Sequence, residues 1–255
     1  LKVKSRTFPF RRAVYVASSI VTSPLRISAL CGSAATISIA CFPTAIRIRA
    51  STSAGPAVSR MTSSIPQSAL TALSAPSVAI AITGKPFIFA AGADLSGIAY
   101  LSDPKQALAI GKLGHDVFRR LGESKIPTCA FINGLALGGG LEVGLHSQYR
   151  TLASTALTGL PEVFLGLIPG WGGATILPKL IGPERAVQVI LLNALNNNTM
   201  MKAKEALKLG VVDAVFEPAD FLERSISFAV GVLNGTIKID RADYSNDPAW
   251  ESALA

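Results

Sequence analysis

The sequence predicts an α/β fold, and three observations carry that prediction. Short apolar runs rich in β-branched residues, at 78–83, 129–132 and 149–152, read as buried strands. Helical stretches with fitting start and stop residues alternate with them and follow them. A glycine triplet, Gly138-Gly139-Gly140, joins one such strand to one such helix. The 255 residues are enough for one large domain with its own core. No apolar run approaches the ~20 residues that span a bilayer, so a soluble chain without membrane insertion is expected. Cys31, Cys41 and Cys129 lack metal or redox spacing, which favours a reduced, intracellular setting over a disulfide framework.

The net charge of +8 is unevenly distributed. No Asp or Glu precedes Asp94, while ten Lys and Arg fall in the first 93 residues. The remainder carries 14 basic against 16 acidic residues, a net of −2. Residues 1–78, rich in Ser, Ala, Thr, Arg and Pro, form an atypical basic segment with short apolar runs at 13–16 and 36–40 but no sustained period. Three readings compete for it. It resembles an organelle transit peptide. It could be a basic arm for an anionic surface, although its cations are scattered and its aromatics few, so no nucleic-acid partner is expected. It could also be a shifted-frame translation, the correct frame resuming near Ala79. The absence of an initial Met fits a chain that does not begin naturally at Leu1.

From there the elements follow in order. Strands are expected at 78–83, bounded by Gly84, and at 87–90, running towards Ala91-Gly92-Ala93-Asp94. Asp94 suits a helix N-cap. Ser102-Asp103-Pro104 starts a helix whose apolar face is Leu108, Leu113, Val117, Phe118 and Leu121, with Arg119 and Arg120 as a solvated, dipole-favourable end. His115 reads as a surface or packing residue and His146 as a packed core histidine; no second ligand at metal spacing accompanies either. Gly182-Pro183-Glu184 breaks one helix and starts another, to about Leu192, and 193–198 reads as a polar loop. A helix at 202–209 stopped by Gly210, a strand at 211–216 and a helix at 218–233 precede a polar tail from 236 to 255.

The glycine triplet is where chemistry is expected. Three residues without Cβ let a ligand lie against main-chain N–H groups. A helix beginning there presents unpaired N–H groups and partial positive charge, which suit an oxygen that becomes negative during a reaction. Glu142 sits just inside that helix, and a second acid, Glu162, stands in Gly159-Leu160-Pro161-Glu162-Val163. Trp171-Gly172-Gly173 permits close backbone approach, either lining a pocket or as ordinary packing. No Gly-x-Gly-x-x-Gly fingerprint follows a strand, so no dinucleotide-binding half is evident.

Three segments, the one at 89–95 (Phe-Ala-Ala-Gly-Ala-Asp-Leu), the glycine stretch 132–142, and 159–173, agree in order and spacing with a known pattern. Together they resemble the enoyl-CoA hydratase/isomerase (crotonase) family, and most of all the N-terminal hydratase module of bacterial multifunctional fatty-acid oxidation proteins. The resemblance covers about 79–235 and implies a crotonase-like spiral of repeated ββα units with C-terminal helices. It implies hydration of a trans-2-enoyl-CoA in β-oxidation, with Glu142 as base and Glu162 as acid. It places the oxyanion hole at the N–H groups of Ala93 and Gly139, and the substrate against Ala91, Asp94, Leu95, Gly138, Pro161 and Trp171. Two acids in one dry site are expected to differ in pKa. The resemblance also implies no cofactor or metal beyond the CoA of the substrate, a homo-oligomer or larger β-oxidation assembly, and a bacterial cytoplasmic setting, or a mitochondrial one if the first segment is a transit peptide. One departure stands out: Ser147-Gln148 replaces the Cys-Asp common in the family, and lost stability rather than lost chemistry is expected from it. The alternatives are an enoyl-CoA isomerase and a catalytically impaired remnant or assembly subunit, since residues 1–78 stand where the family's first strands belong.

Overall fold

The computed structural model describes residues 13–17, 25–27, 36–41, 77–93, 104–248 and 250. Asp94 and Leu95, the N-cap expected at Asp94 and the start of the following helix at Ser102-Asp103 lie outside the described residues. The strands are β1 (Ala13–Ala17), β2 (Leu25–Ile27), β3 (Thr36–Cys41), β4 (Ser77–Thr83), β5 (Phe87–Ala90), β6 (Thr128–Ile132), β7 (Gly134–Leu137), β8 (Tyr149–Ala153), β9 (Leu157–Gly159), β10 (Met201–Lys202) and β11 (Ala214–Phe216). The helices are α1 (Pro104–Gly122), α2 (Gly139–His146), α3 (Gly173–Ile181), α4 (Pro183–Val187), α5 (Ala203–Leu209) and α6 (Phe221–Leu233). A 3-10 turn at Pro161–Leu165 precedes α3. The apolar runs noticed before residue 78 coincide with β1 and β3.

Strands divide between two sheets, one in the order β11-β8-β6-β4-β3-β1-β2 and one in the order β10-β9-β7-β5. Each short strand pair splits between them: β4, β6 and β8 lie parallel in the larger sheet, and β5, β7 and β9 lie parallel in the smaller. A helix or helical turn follows each pair, so the ββα repeat is realised three times over 77–165. Parallel strands covered on both faces must be apolar throughout. Accordingly Ala79, Ala81 and Ile82 of β4 and every residue of β6 are buried.

The corners between the sheets are tied by a side chain. Asn133, the single residue between β6 and β7, accepts the N–H of Gly84 at 3.0 Å. Its amide donates to the carbonyls of Lys85 at 2.6 Å and Gly84 at 3.2 Å. It thereby satisfies backbone groups that leave one sheet before joining the next. In the adjoining turn Ile88 N–H meets the Lys85 carbonyl at 3.1 Å, with Pro86 second and Phe87 third. A positive φ at the third residue is the mark of a type II turn, in which Pro is common second. Phe87 adopts φ +67° and leaves its ring 83% exposed.

Several boundaries differ from the sequence reading. Leu108, expected on the apolar face of α1, is 73% exposed; the core-facing side is carried by Phe118 with Val117 and Leu121. The expected loop at 193–198 begins as helix, because α4 continues through a π turn (Gln188–Leu192) into Asn193–Leu195. The strand expected at 211–216 is shorter, with Val211 and Val212 packed in the core ahead of β11. Gly210 stops α5 with φ +86°, as expected.

Truncating Asn133→Ala removes the side-chain partner of the Gly84 N–H and carbonyl and leaves the Lys85 carbonyl with the Ile88 N–H alone, and is expected to cost about 1–3 kcal/mol in urea unfolding. Conversely, Phe87→Gly removes a side chain from the left-handed region and is expected to stabilise by about 1 kcal/mol in the same assay.

Candidate active site

The smaller sheet brings the sequence motifs together. Ala93 follows β5, the glycine triplet follows β7, and Pro161-Glu162 follows β9. All three leave the carboxyl ends of neighbouring parallel strands, whose register pairs Ala90 with Ala136 and Leu137 with Gly159. Loops beyond the carboxyl ends of parallel strands are a usual place for a ligand crevice.

Each glycine of the triplet lies against a different neighbour. A Cβ on Gly140 would fall 2.1 Å from the Ala90 carbonyl oxygen, so β5 and α2 can meet only here without a side chain. On Gly139 it would strike the Trp171 ring at 2.7 Å, and it would stand 3.9 Å from the Ala93 nitrogen. The N–H groups of Ala93 and Gly139 thus belong to backbones in close approach, and Gly139, as the first residue of α2, has no intrahelical partner for its own. Gly138, at φ +52°, faces Glu162: its Cβ would be 2.7 Å from Oε1.

The two carboxylates differ in their partners. Glu142 is 2% exposed, on a helix buried along its whole length. Its Oε1 accepts the N–H of Trp171 at 2.8 Å and of Gly173 at 2.9 Å. Gly173 is the first residue of α3, so the carboxylate also meets a positive helix end. Glu162 sits in the 3-10 turn behind Pro161. It is half-buried as a residue, but its Oε2 is enclosed and unpartnered. Burial pushes the Glu142 carboxyl up to about 7, against the pull of the Gly173 and Trp171 N–H groups. Burial first, and then the neighbouring Glu142 charge, push Glu162 up to about 7. The expected separation of the two pKa values is therefore not found in these values. Hydrogen bonding differs between the acids: two N–H groups lower the Glu142 value, while Glu162 has the opposing pull of its own main-chain N–H and, among the described residues, no partner for Oε2.

The remaining expected site residues fall around this centre. Ala91 is exposed, Ala93 and Pro161 are half-buried, and Gly138 is buried. Trp171 is 9% exposed. Its ring lies where a Cβ on Gly114 of α1 would be, 2.3 Å from Nε1, and meets Phe118 edge-on at 5.6 Å. It therefore backs the glycine turn from behind, between α1 and α2. The spacing of α1 gave no reason to single out Gly114. His146 is buried, as expected, and also contacts the Trp171 carbonyl oxygen at 2.7 Å, a link with no signal in the sequence. Gln148 has found other work in place of an acid: its amide donates to the carbonyls of Gly122 at 3.3 Å and Ser124 at 3.2 Å. Among the described residues no helix is long and apolar enough to cross a membrane, and no group of three or more His, Cys, Asp or Glu is placed to hold a metal.

Both carboxyls ordinarily titrate near 4.5 and here near 7. Between those values the folded chain holds protons that the unfolded chain has released. Their contribution to stability is thus full below the unfolded value and is lost as pH rises through about 7. Stability measured by urea unfolding is expected to fall by a few kcal/mol across that window, and the Glu142→Gln/Glu162→Gln double variant to show a flatter profile.

The sequence matches the Enoyl-CoA hydratase/isomerase family over residues 66–242. The fatty acid oxidation complex subunit alpha of Shewanella loihica is 39% identical over 153 residues, covering 59% of this chain and 21% of that protein. The subunit of the same name from Pseudomonas putida is 38% identical over 152 residues, covering 59% and 21%. The chain thus spans about a fifth of the length of these relatives. Among solved structures, an enoyl-CoA hydratase from Bacillus anthracis aligns with TM-score 0.56 and 33% identity over 65% of this chain and 63% of that one. An enoyl-CoA hydratase from Thermoplasma volcanium aligns with TM-score 0.59 and 28% identity over 76% and 77%. With the ββα repeats, the glycine turn and the two buried acids already in place, these matches leave one conclusion: the chain belongs to the enoyl-CoA hydratase/isomerase family.

Proposed function

We propose that the chain is an enoyl-CoA hydratase, adding water across the C2–C3 double bond of a trans-2-enoyl-CoA in fatty-acid β-oxidation. The observation that carries this reading is the unequal pair of buried acids beside the glycine turn: Glu142 with two N–H donors on Oε1, Glu162 with an enclosed, unpartnered Oε2. Hydration needs a base for water and an acid for carbon, and this pair provides one of each.

In the proposed reaction the thioester carbonyl oxygen accepts the N–H groups of Ala93 and Gly139, which stabilise the enolate-like charge as it develops. Ionised Glu142 takes a proton from water, and the oxygen bonds to C3. The electron pair of the double bond moves to C2 and the carbonyl, and Glu162 delivers its proton to C2. Atoms and charge balance with no further group. Both Glu142 bonds end on Oε1, which keeps that oxygen fixed, and Oε2 is proposed to take the proton from water. Trp171 serves as a wall behind the oxyanion donor, while Ala91, Asp94, Leu95, Gly138 and Pro161 are proposed to line the substrate. The relatives carrying the name fatty acid oxidation complex subunit alpha, from bacteria, support a place for this unit in such an assembly; a cytoplasmic setting is part of the proposal.

Loss of the conjugated-thioester absorbance of crotonyl-CoA tests the reading. Glu142→Gln and Glu162→Gln are each expected to lower kcat by roughly 10²–10⁴-fold, leaving the folded state intact. The kcat/KM profile of the native chain is expected to be a bell centred near neutrality, since both acids titrate near 7 and work in opposite protonation states. Turnover of a 3-enoyl-CoA exceeding that of crotonyl-CoA would assign the site to isomerisation instead.

A further inference from the structure

His146, at the end of α2, is used by none of the steps above. Its side chain is buried, and its Nε2 lies 2.7 Å from the Trp171 carbonyl oxygen. A carbonyl oxygen can only accept, so Nε2 carries the hydrogen. That carbonyl belongs to the peptide unit joining Trp171 to Gly172. The units on either side carry the Trp171 and Gly173 N–H groups, and both of these donate to Glu142 Oε1. Rotation of the middle unit would turn one or both donors away from the carboxylate. Gly172, at φ +137°, offers little resistance to such rotation, because a residue without Cβ has wide backbone freedom. The ring also packs directly on that glycine, where a Cβ would come within 2.5 Å of Nε2.

We propose that His146 is a positioning residue for Glu142: its imidazole holds the Trp171 carbonyl and so fixes the 171–173 turn whose N–H groups orient the carboxylate. The catalytic consequence rests on the hydratase reading; the hydrogen-bond relay does not. The ring is faced from α1 and from the 171–173 turn. His115 of α1 stands edge-on at 5.7 Å and Phe118 at 6.0 Å, with Glu123 beyond the end of that helix and Trp171 across from it. Burial holds the imidazole below its usual pKa, against the pull of the Trp171 carbonyl; His115 adds to the lowering and Glu123 opposes it.

The test compares His146→Leu, which fills the site without a donor, with His146→Gln, whose amide nitrogen can replace Nε2. In the leucine variant kcat on crotonyl-CoA is expected to fall roughly ten- to a hundred-fold while KM stays within about two-fold. The acid limb of kcat/KM is expected to move to higher pH, because Glu142 loses donors that favour its charged form. The glutamine variant is expected to recover most of kcat and the native limb. Equal losses in both variants, or a folded leucine variant with native kcat and pH profile, would overturn the proposal. Should the leucine variant fail to fold, His146→Asn, whose amide is too short to reach, takes its place against the same criteria. Carboxyl-carbon NMR titration of Glu142 separates this proposal from the hydratase reading. A native chain that turns over no crotonyl-CoA removes that reading, yet a Glu142 pKa raised by leucine and restored by glutamine still supports the relay. A titration unchanged in both variants refutes it.

Discussion

The hydrogen bonds from Trp171 and Gly173 to Glu142 are the constraint on which the rest of the site depends. A carboxylate 2% exposed on an apolar helix is costly unless its charge is met. The main-chain donors that meet it come from Trp171 and from Gly173 at the start of α3, so this segment presses against α2. That close approach in turn requires small residues: a Cβ on Gly173 would stand 3.2 Å from Oε1 and 2.7 Å from Pro169 Cβ. It also seats the Trp171 ring beneath Gly139. One buried acid thus dictates the path of the loop, the position of α3 and the packing behind the proposed oxyanion donor.

The second acid is held mainly by burial, with the first acting on it as a neighbour. Glu162 has its carboxyl raised by burial and then by the Glu142 charge, and it finds no main-chain donor for Oε2. The N–H pair and the helix end favour charge on Glu142, and the proposed roles of base and acid rest on that difference.

Much of this was legible because it depends on residue types that admit few substitutes. Glycines that must admit a backbone oxygen at 2.1 Å cannot be disguised, and parallel strands buried on both faces read as apolar runs. The less legible features arise where a residue's role is set by tertiary neighbours. Leu108 has helical periodicity but lies exposed, since position on a stripe does not say where the stripe's cover ends. Helical structure persists through Asn193–Leu195 because α4 carries on through its π turn, overriding the poor intrinsic preference of asparagine. The Ser147-Gln148 departure was visible, but its compensation was not. Arg150 is fully buried, donating from Nε to the Val211 carbonyl at 2.8 Å while Nη2 has no partner. Asp213, whose charge opposes the lowering of the Arg150 pKa by burial, accepts the Arg150 main-chain N–H at 2.7 Å and the Arg241 guanidinium at 2.7 Å from 63 and 28 residues away in sequence. No local spacing announces such a partner.

The repeat explains why one site can be drawn from three distant segments. Strands in a sheet stand about 4.8 Å apart, so the residues leaving β5, β7 and β9 emerge in a row at that spacing. Ala93, the Gly138–Gly140 turn and Glu162 occupy the same place in three successive units, although the chain between the first and last is 69 residues long. The two proposed oxyanion donors, the proposed base beside the second of them and the proposed acid are then presented side by side by a rigid scaffold. Each unit contributes something different because the residue after its short strand differs: a small residue for an N–H, a glycine run for close approach, a proline to project a carboxylate. Conformational cost at the site is low for the same reason, since the sheet register already fixes the three backbones before any ligand arrives. The side chain of Glu142 is the exception. It comes from the second turn's helix rather than from a strand end, and so it alone requires an additional hold, supplied by the 171–173 turn.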